Sequence, residues 1–266
     1  MRLVIALAVV LVSFAAPASA SDYLGEARRH YNLGEYDAAE SAARQAAADP
    51  QTADAARVVL GRVQLERYRR SGALTDLADA RNALRTVDPQ ALDSRERLEL
   101  TIGLAEALFL EDRFGASAEL FEPLIDASLM LGAVAHERVL DWWATALDRQ
   151  AQLRPQDERA ALYQRIIDRM SGELADSPGS GPAAYWLAAA ARGRGDIERA
   201  WQAALAGWMR APQTADRGAA LRADLDRLVV QAIIPERIIR LGLQDATLAL
   251  AGMLGEWEAF KMRWSR

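Results

Sequence analysis

Apolar residues recur at helical spacing along most of this chain, and short turns interrupt them. The stretch 183–212 reads AAYWLAAAARGRGDIERAWQAALAGWMRAP, with large apolar residues flanking small ones on both sides of a turn. Gly195 adopts a left-handed backbone without steric cost, Asp196 is a favoured N-cap, and Pro212 cannot continue a helix. The small residues predicted at the helix crossing are Ala184, Ala188, Ala191, Ala200, Ala204 and Gly207. The pattern predicts two short helices folded back on each other.

The same pattern occurs twice near the start of the chain. The first copy, residues 23–50, has its turn at Gly34, and its small residues recur at helical spacing. The second copy, residues 52–89, has its turn at Gly72. Leu77 stands there where a small residue is expected, and a leucine at a helix crossing must push the helices apart or rotate them. We therefore expect a wider or rotated crossing in the second copy.

Two more copies are less regular. The third, residues 98–127, keeps the apolar register but has Asp112 in place of the turn glycine. The fourth, about residues 134–178, has longer apolar stripes on both of its helices. The Ser-Pro-Gly-Ser-Gly-Pro stretch at residues 177–182 follows it and is the clearest linker signal in the chain. We expect a bend between hairpins at this linker.

A helix-turn-helix unit of about 34 residues, with a turn glycine, small crossing residues and a closing proline, resembles the tetratricopeptide repeat. The resemblance covers residues 21–212 as about five hairpins and is best at residues 23–50 and 183–212. It implies an all-α fold, arranged as a right-handed α–α superhelix. It also implies a non-catalytic protein–protein interaction scaffold that binds a partner segment in a concave groove.

The resemblance also implies where a partner binds, because the first helices of such repeats line the groove. Positions that recur at helical spacing before each turn fall on one side of these helices. The candidate groove residues are Arg28, Tyr31, Arg62, Glu66, Arg69, Glu106, Phe109, Tyr185 and Arg192. A groove that alternates arginines with aromatic rings would bind an extended or helical segment that carries carboxylates. The alternative is that these arginines are merely solvated.

After Pro212 the repeat pattern fades, although apolar stripes continue. One stripe covers residues 221–233, and we expect Pro235 to break it and begin a short helix over residues 235–241. A last helix, residues 245–264, places tryptophans and other large apolar residues on one side. Residues 213–266 are therefore predicted to form C-terminal capping helices over the last repeat. The alternative is that the tryptophans face a partner.

The first 20 residues have the pattern of a cleavable export signal. Arg2 precedes an apolar run, which is followed by Pro17 and an Ala-Ser-Ala cleavage site. The run is shorter than the about 20 residues that span a bilayer, so removal is favoured over a retained anchor. We expect a mature chain that begins near Ser21, has no stable membrane anchor and lies in the periplasm or outside the cell.

Composition narrows the chemistry further. The chain has 266 residues, a net charge of −5, no cysteine and two histidines. The acidic balance argues against nucleic acid as a partner, and the lack of cysteine excludes disulfides, thiolate metal sites and thiol nucleophiles. His136 and Glu137 are not followed by the second histidine of a zinc-protease helix, and packing or surface roles fit His30 and His136 better. We predict no enzymatic activity, no cofactor and no metal.

Periplasmic lytic transglycosylases also carry a helical superhelix, which makes them the relevant enzymatic comparison. Such enzymes need a further lysozyme-like domain, for which we expect no room after the last repeat. The alternative function is therefore an accessory or regulatory helical domain of a cell-wall-processing system. Genomic neighbours would separate it from a scaffold or adaptor of the bacterial cell envelope.

Overall fold

The computed structural model describes residues 19–242 and 245–264, and every regular element within them is helical. The all-α class predicted from the sequence is confirmed for this part of the chain. The chain divides into two compact units, Met1–Leu92 and Asp93–Arg266. The predicted export signal lies outside the described residues except for Ser19 and Ala20, which begin the first helix.

The first unit consists of two helical hairpins in sequence. Its helices are α1 (Ala20–Leu33), α2 (Tyr36–Ala46), α3 (Ala53–Ser71) and α4 (Leu74–Arg85). Each helix packs on the next, and α1 also packs on α3. Gly34 and Gly72 follow α1 and α3 with φ angles of 75° and 70°, so both take the left-handed conformation predicted for the turns.

The crossing of α3 and α4 differs from the expectation for Leu77. Leu77 is only half-buried, whereas Ala80 and Leu84 on the same helix are buried. A Cβ atom on Gly61 would lie 2.6 Å from Leu84 Cγ and 3.3 Å from the Ala80 carbonyl oxygen. The close approach of the two helices is therefore made through Gly61 of α3, and Leu77 does not force them apart.

The described part of the second unit contains nine α-helices. Its helices are α5 (Ser94–Leu110), α6 (Phe114–Phe121), α7 (Ala133–Gln152), α8 (Gln156–Asp176), α9 (Gly181–Gly193), α10 (Ile197–Arg210), α11 (Ala219–Leu228), α12 (Ile234–Leu241) and α13 (Ala246–Trp264). From α5 to α11 each helix packs on the next, and α7 also packs on α5 and α9. α9 packs on α11 in the same way.

The turns of the second unit follow the sequence expectations. Asp112 takes the turn position between α5 and α6 with a φ of 58°, which aspartate tolerates better than most residues. Gly195 takes a φ of 87° before α10, and Asp196 accepts a hydrogen bond of 3.1 Å from the Arg199 N–H. All six small residues predicted at the crossing of α9 and α10 are buried.

Gly193 ends α9 and packs closely against α8. It is the last residue of α9, and a Cβ atom there would lie 2.3 Å from Cζ of the Tyr163 ring on α8. Real Cβ contacts are never so short, and an aromatic ring in a packed core has little room to move. Glycine at this position therefore allows α8 and α9 to pack closely.

The linker between α8 and α9 is a short packed turn. Ser180 is buried, and its side chain accepts a hydrogen bond of 3.4 Å from the Ala183 N–H at the start of α9. A Cβ atom on Gly179 would lie 2.6 Å from the Gln213 carbonyl oxygen. The linker is thus held against the segment that follows α10.

Pro235 does not break the helix before it, contrary to the sequence expectation. α11 continues into a π-helical segment, Val229–Ile233, and then into α12, with right-handed helical backbone angles at both junctions. Proline lacks the N–H that a regular α-turn needs, and the wider π-turn accommodates the missing donor. Residues 219–241 therefore form one continuous helical rod.

A tryptophan cluster joins α13 to the rest of the second unit. Trp257 is fully buried, with its ring centroid 5.9 Å from that of Trp201 and 5.2 Å from that of Trp208. Its indole N–H donates a hydrogen bond of 2.8 Å to Asp226 Oδ1 on α11. Trp264, one of the residues predicted on the same face, is 45% exposed. α13 thus covers α10 with one part of its apolar face and leaves another part open.

Candidate partner-binding pocket

A pocket of about 600 Å³ lies on the second unit between α7, α9 and α11. The lining residues are Glu137, Asp141, Thr145, Asp148 and Arg149 of α7, Gly181, Pro182, Tyr185 and Trp186 of α9, Thr214, Ala215 and Asp216 of the following loop, and Ala220, Leu221 and Asp224 of α11. Its volume falls within the about 300–1,000 Å³ of small-ligand pockets. Aromatic and aliphatic side chains form part of the wall, and carboxylates form much of the remainder.

The polar side of the pocket comes from one face of α7. Glu137, Asp141, Thr145 and Asp148 recur at three- and four-residue intervals, which place them on one stripe of a helix. The opposite face of α7 carries buried residues such as Trp143 and is held in the core. The amphipathic pattern of α7 therefore directs this acidic stripe away from the core.

Two of the pocket carboxylates are oriented by neighbouring aromatic side chains. The Trp186 indole N–H donates a hydrogen bond of 2.8 Å to Asp141 Oδ1, and the Tyr163 hydroxyl donates one of 2.8 Å to Asp148 Oδ1. A carboxylate has two oxygens with several lone pairs, and a hydrogen bond to one of them fixes the direction of the group. α8 and α9 therefore preorganise acceptors that belong to α7.

The pocket is strongly negative. It has five carboxylates and one arginine, Arg149. Burial raises the pKa of the half-buried Glu137 carboxyl. The Gly181 N–H donates a hydrogen bond to this carboxyl, which lowers the pKa by less than burial raises it. Burial also raises the pKa of the Tyr185 phenol, and three nearby carboxylates raise it further. These are Asp224, Asp148 and Asp141.

Asp216 is a structural member of the pocket wall. It accepts hydrogen bonds of 2.6 Å from the Thr214 hydroxyl, 2.9 Å from the Gly218 N–H and 2.7 Å from the Ala220 N–H. These bonds, the hydroxyl bond most of all, lower the pKa of Asp216 to about 2. Asp216 therefore fixes the loop that leads into α11, and the other four carboxylates carry the chemistry of the pocket.

In the first unit, the structure places arginines next to aromatic or acidic groups at the predicted groove positions. Arg28 is half-buried on α1. Tyr31 is buried, and the guanidinium carbon of Arg62 lies 4.5 Å from the centre of its ring. Arg69 lies 3.0 Å from both carboxylate oxygens of Glu66, which is 7% exposed.

In the second unit, the predicted groove residues are spread over several environments. Glu106 is 2% exposed on α5, and Phe109 packs edge-on against Trp142 at a centroid distance of 4.6 Å. Arg192 donates hydrogen bonds of 2.8 and 2.5 Å to Glu236 Oε1 on α12. Tyr185 is the one member of the predicted set that lines the pocket.

A serine, histidine and glutamate lie together elsewhere in the second unit. His136 Nδ1 is 3.0 Å from Ser128 Oγ, and Nε2 is 3.1 Å from Glu173 Oε1. This is the order of groups in a hydrolytic triad, but all three residues are buried. The Ser128 hydroxyl donates to the Ile125 carbonyl oxygen at 2.5 Å. The cluster therefore connects the turn before α7 to α7 and α8, as a packing histidine would.

Over residues 19–242 and 245–264, histidine and carboxylate side chains form no group that could hold a metal ion. Within the same part of the chain, none of the helices is both long and apolar enough to cross a membrane. No protein-family model matches the chain, and no curated protein sequence does. The described residues form an all-α arrangement of packed helical hairpins, with an acidic pocket on the second unit.

Proposed function

We propose that this protein is a non-catalytic protein–protein interaction module that binds a segment of a partner in the pocket between α7, α9 and α11. One observation carries the proposal. The pocket lies on the first helices of successive hairpins, which is the surface that tetratricopeptide-like arrays use to bind partner segments. The pocket is also large enough for several side chains of such a segment.

The proposal includes a right-handed superhelical arrangement and export to the periplasm or the cell exterior. Helix α7 packs on α5 and on α9, and α9 packs on α11, which is the neighbour pattern of stacked hairpins. The basic, apolar and Ala-Ser-Ala pattern at the start of the sequence supports export. Together these two features support a scaffold or adaptor role in the bacterial cell envelope.

A pocket-filling variant tests the proposal. Ala220 lines the pocket and is exposed on α11, so Ala220→Trp should occupy the pocket without disturbing the core. Ala223→Trp, also exposed on α11 but outside the pocket, is the matched control. Tagged protein is used to capture partners from envelope extract, and each candidate is then purified and titrated against the three proteins.

We expect a true partner to bind the unmodified protein and the Ala223→Trp control equally and to lose most of its affinity for Ala220→Trp. Circular dichroism must show the same helical content for all three proteins. Full binding by a correctly folded Ala220→Trp protein would contradict the proposal and move the partner surface elsewhere.

A further inference from the structure

We infer that the partner segment carries a lysine or arginine side chain whose cationic head binds among the carboxylates of Glu137, Asp141, Asp148 and Asp224. The inference rests on the proposed function, since it names the occupant of the same pocket. The arginines among the sequence-predicted groove residues indicated a partner segment with carboxylates. The pocket indicates a partner segment of the opposite charge. The ligand group is cationic because the pocket itself is acidic.

The charges that line the pocket carry the first step of the argument. Four carboxylates remain after Asp216 is assigned to the loop, and Arg149 is the one basic residue of the wall. Asp224 also lies 3.1 Å from Arg227, but both side chains of that pair are about half exposed, so solvent weakens their attraction. A segment that carries carboxylates would be repelled here, whereas a cationic group would relieve the repulsion among the wall groups.

The apolar part of the wall fits the long stem of a basic side chain. Pro182, Tyr185 and Leu221 line the pocket beside the acidic stripe of α7. Lysine and arginine place their methylene stems along apolar surface while the charged head reaches polar groups. Tyr185 lines the pocket, and an aromatic ring beside a bound cation adds a cation–π attraction. A pocket with both kinds of wall therefore favours a basic side chain over a small inorganic cation.

The fixed orientation of the carboxylates supports the same occupant. The donors on Trp186 and Tyr163 hold Asp141 and Asp148 in place before a ligand arrives. Preorganised acceptors lose less side-chain freedom on binding than mobile surface carboxylates do. In the described part of the chain these carboxylates do not converge as ligands of one metal ion. An extended side chain that meets one or two of them at a time fits their spread along α7 and α11.

Defined peptides test the inference directly. The probes are fluorescein-labelled, end-capped peptides of alternating glycine with lysine, with arginine or with glutamate, titrated against the full chain by fluorescence anisotropy. We expect the lysine and arginine peptides to bind and the glutamate peptide not to bind. Zero-length carbodiimide coupling of the lysine peptide, followed by mass spectrometry, should join its amine mainly to pocket carboxylates. Spermidine is added as a competitor of the lysine peptide. If spermidine binds more tightly than the peptide, the better ligand is a free polyamine and the peptide assignment is overturned.

A charge-matched pair of variants separates the pocket from the general acidity of the protein. Asp141→Asn with Asp224→Asn removes two pocket charges, and Asp168→Asn with Asp176→Asn removes two exposed charges of α8 outside the pocket. We expect the first double variant to weaken the lysine peptide at least about tenfold and the second less than about twofold. Equal weakening by both variants, or undetectable binding of both basic peptides, would overturn the inference.

The same variants show whether the inference fails alone or the proposed function fails with it. If Ala220→Trp abolishes binding of a natural partner but the double variant Asp141→Asn with Asp224→Asn does not weaken it, the pocket is correct and the cationic occupant is wrong. If Ala220→Trp has no effect on that partner, the proposed function itself fails.

Discussion

The hairpins α9–α10 and α7–α8 use their residues for different purposes. In α9–α10, small buried residues occupy the crossing and a left-handed glycine makes the turn, so the residues that define the repeat pattern serve packing. In α7–α8 the helices are longer, no glycine marks the turn, and one face of α7 carries the acidic stripe of the pocket. The comparison teaches that the most regular hairpin reveals the fold, whereas the less regular one supplies the chemistry.

The largest expected effect tests the packing role of α9–α10. Trp201 is 2% exposed, and its ring packs against Trp257 and beneath the Arg237 guanidinium. Trp201→Ala should reduce the free energy of unfolding by about 3–5 kcal/mol, because it removes a large buried side chain and leaves a cavity. Urea unfolding followed by circular dichroism measures the loss. A loss below about 1 kcal/mol would show that this hairpin does not carry the core.

A smaller effect is expected at the helix crossing of the same hairpin. Ala200 is fully buried, so Ala200→Leu should overpack the crossing and reduce the free energy of unfolding by about 1–3 kcal/mol. Gln202→Leu adds a similar side chain at an exposed position of α10 and is the control, with an expected change within about 0.5 kcal/mol. Equal melting temperatures for the two variants would place Ala200 outside the crossing.

Two carboxylates of the pocket should respond to pH in opposite ways. Burial raises the pKa of Glu137 above its ordinary 4.5, so its ionised form destabilises the fold, and Glu137→Gln should raise the melting temperature at pH 7. Hydrogen bonds lower the pKa of Asp216 from 3.8 to about 2, so its ionised form stabilises the fold, and Asp216→Asn should lower the melting temperature.

The pH range in which each difference disappears follows from these shifts. For Glu137→Gln the difference should vanish below about pH 4.5, where the carboxyl is protonated in both the folded and the unfolded chain. For Asp216→Asn the difference in melting temperature from the unmodified protein should become smaller as the pH falls from 3.8 towards 2. Thermal melts at a series of pH values measure both. Differences of the same sign at pH 7 would contradict the roles assigned to these two residues.

The smallest stability effect is expected at the exposed edge of the pocket. The side chains of Asp224 and Arg227 are 49% and 64% exposed, and such ion pairs contribute little. Asp224→Asn should therefore change the free energy of unfolding by less than about 0.5 kcal/mol, although it weakens binding of the lysine peptide. A large loss of stability would mean that Asp224 contributes to packing and is not only a binding group on the pocket wall.

Helices and turns were accessible to sequence reasoning because they depend on local signals. Glycine spacing located the turns at Gly34, Gly72 and Gly195, and the same register placed Asp112 at the turn between α5 and α6. The close approach of α3 and α4 in spite of Leu77 has a tertiary cause. The residue that permits the close crossing, Gly61, lies on the partner helix, where the repeat register gives it no special position.

The pocket was harder to predict than the fold. The repeat register depends on a recognisable turn residue, and the turn after α7, residues 153–155, has no such residue. The acidic stripe of α7 was therefore overlooked, although Glu137, Asp141 and Asp148 recur at helical spacing in the sequence. The register does identify Tyr185, because the turn glycine Gly195 sets the register of α9, on which Tyr185 lies. The continuous rod through Pro235 also escaped prediction, since a π-turn depends on the packing of both flanking segments.

The contact between Gly193 and Tyr163 limits how far the hairpins can be treated as interchangeable modules. A designer who copied α9–α10 to lengthen the protein would also need an aromatic side chain on the preceding helix to fill the space over the glycine. Placed after a hairpin without that ring, the copied unit would carry a void of aromatic size in its core. The hairpin is therefore a unit of sequence repetition, whereas the unit that could be transplanted is at least α8, α9 and α10 together.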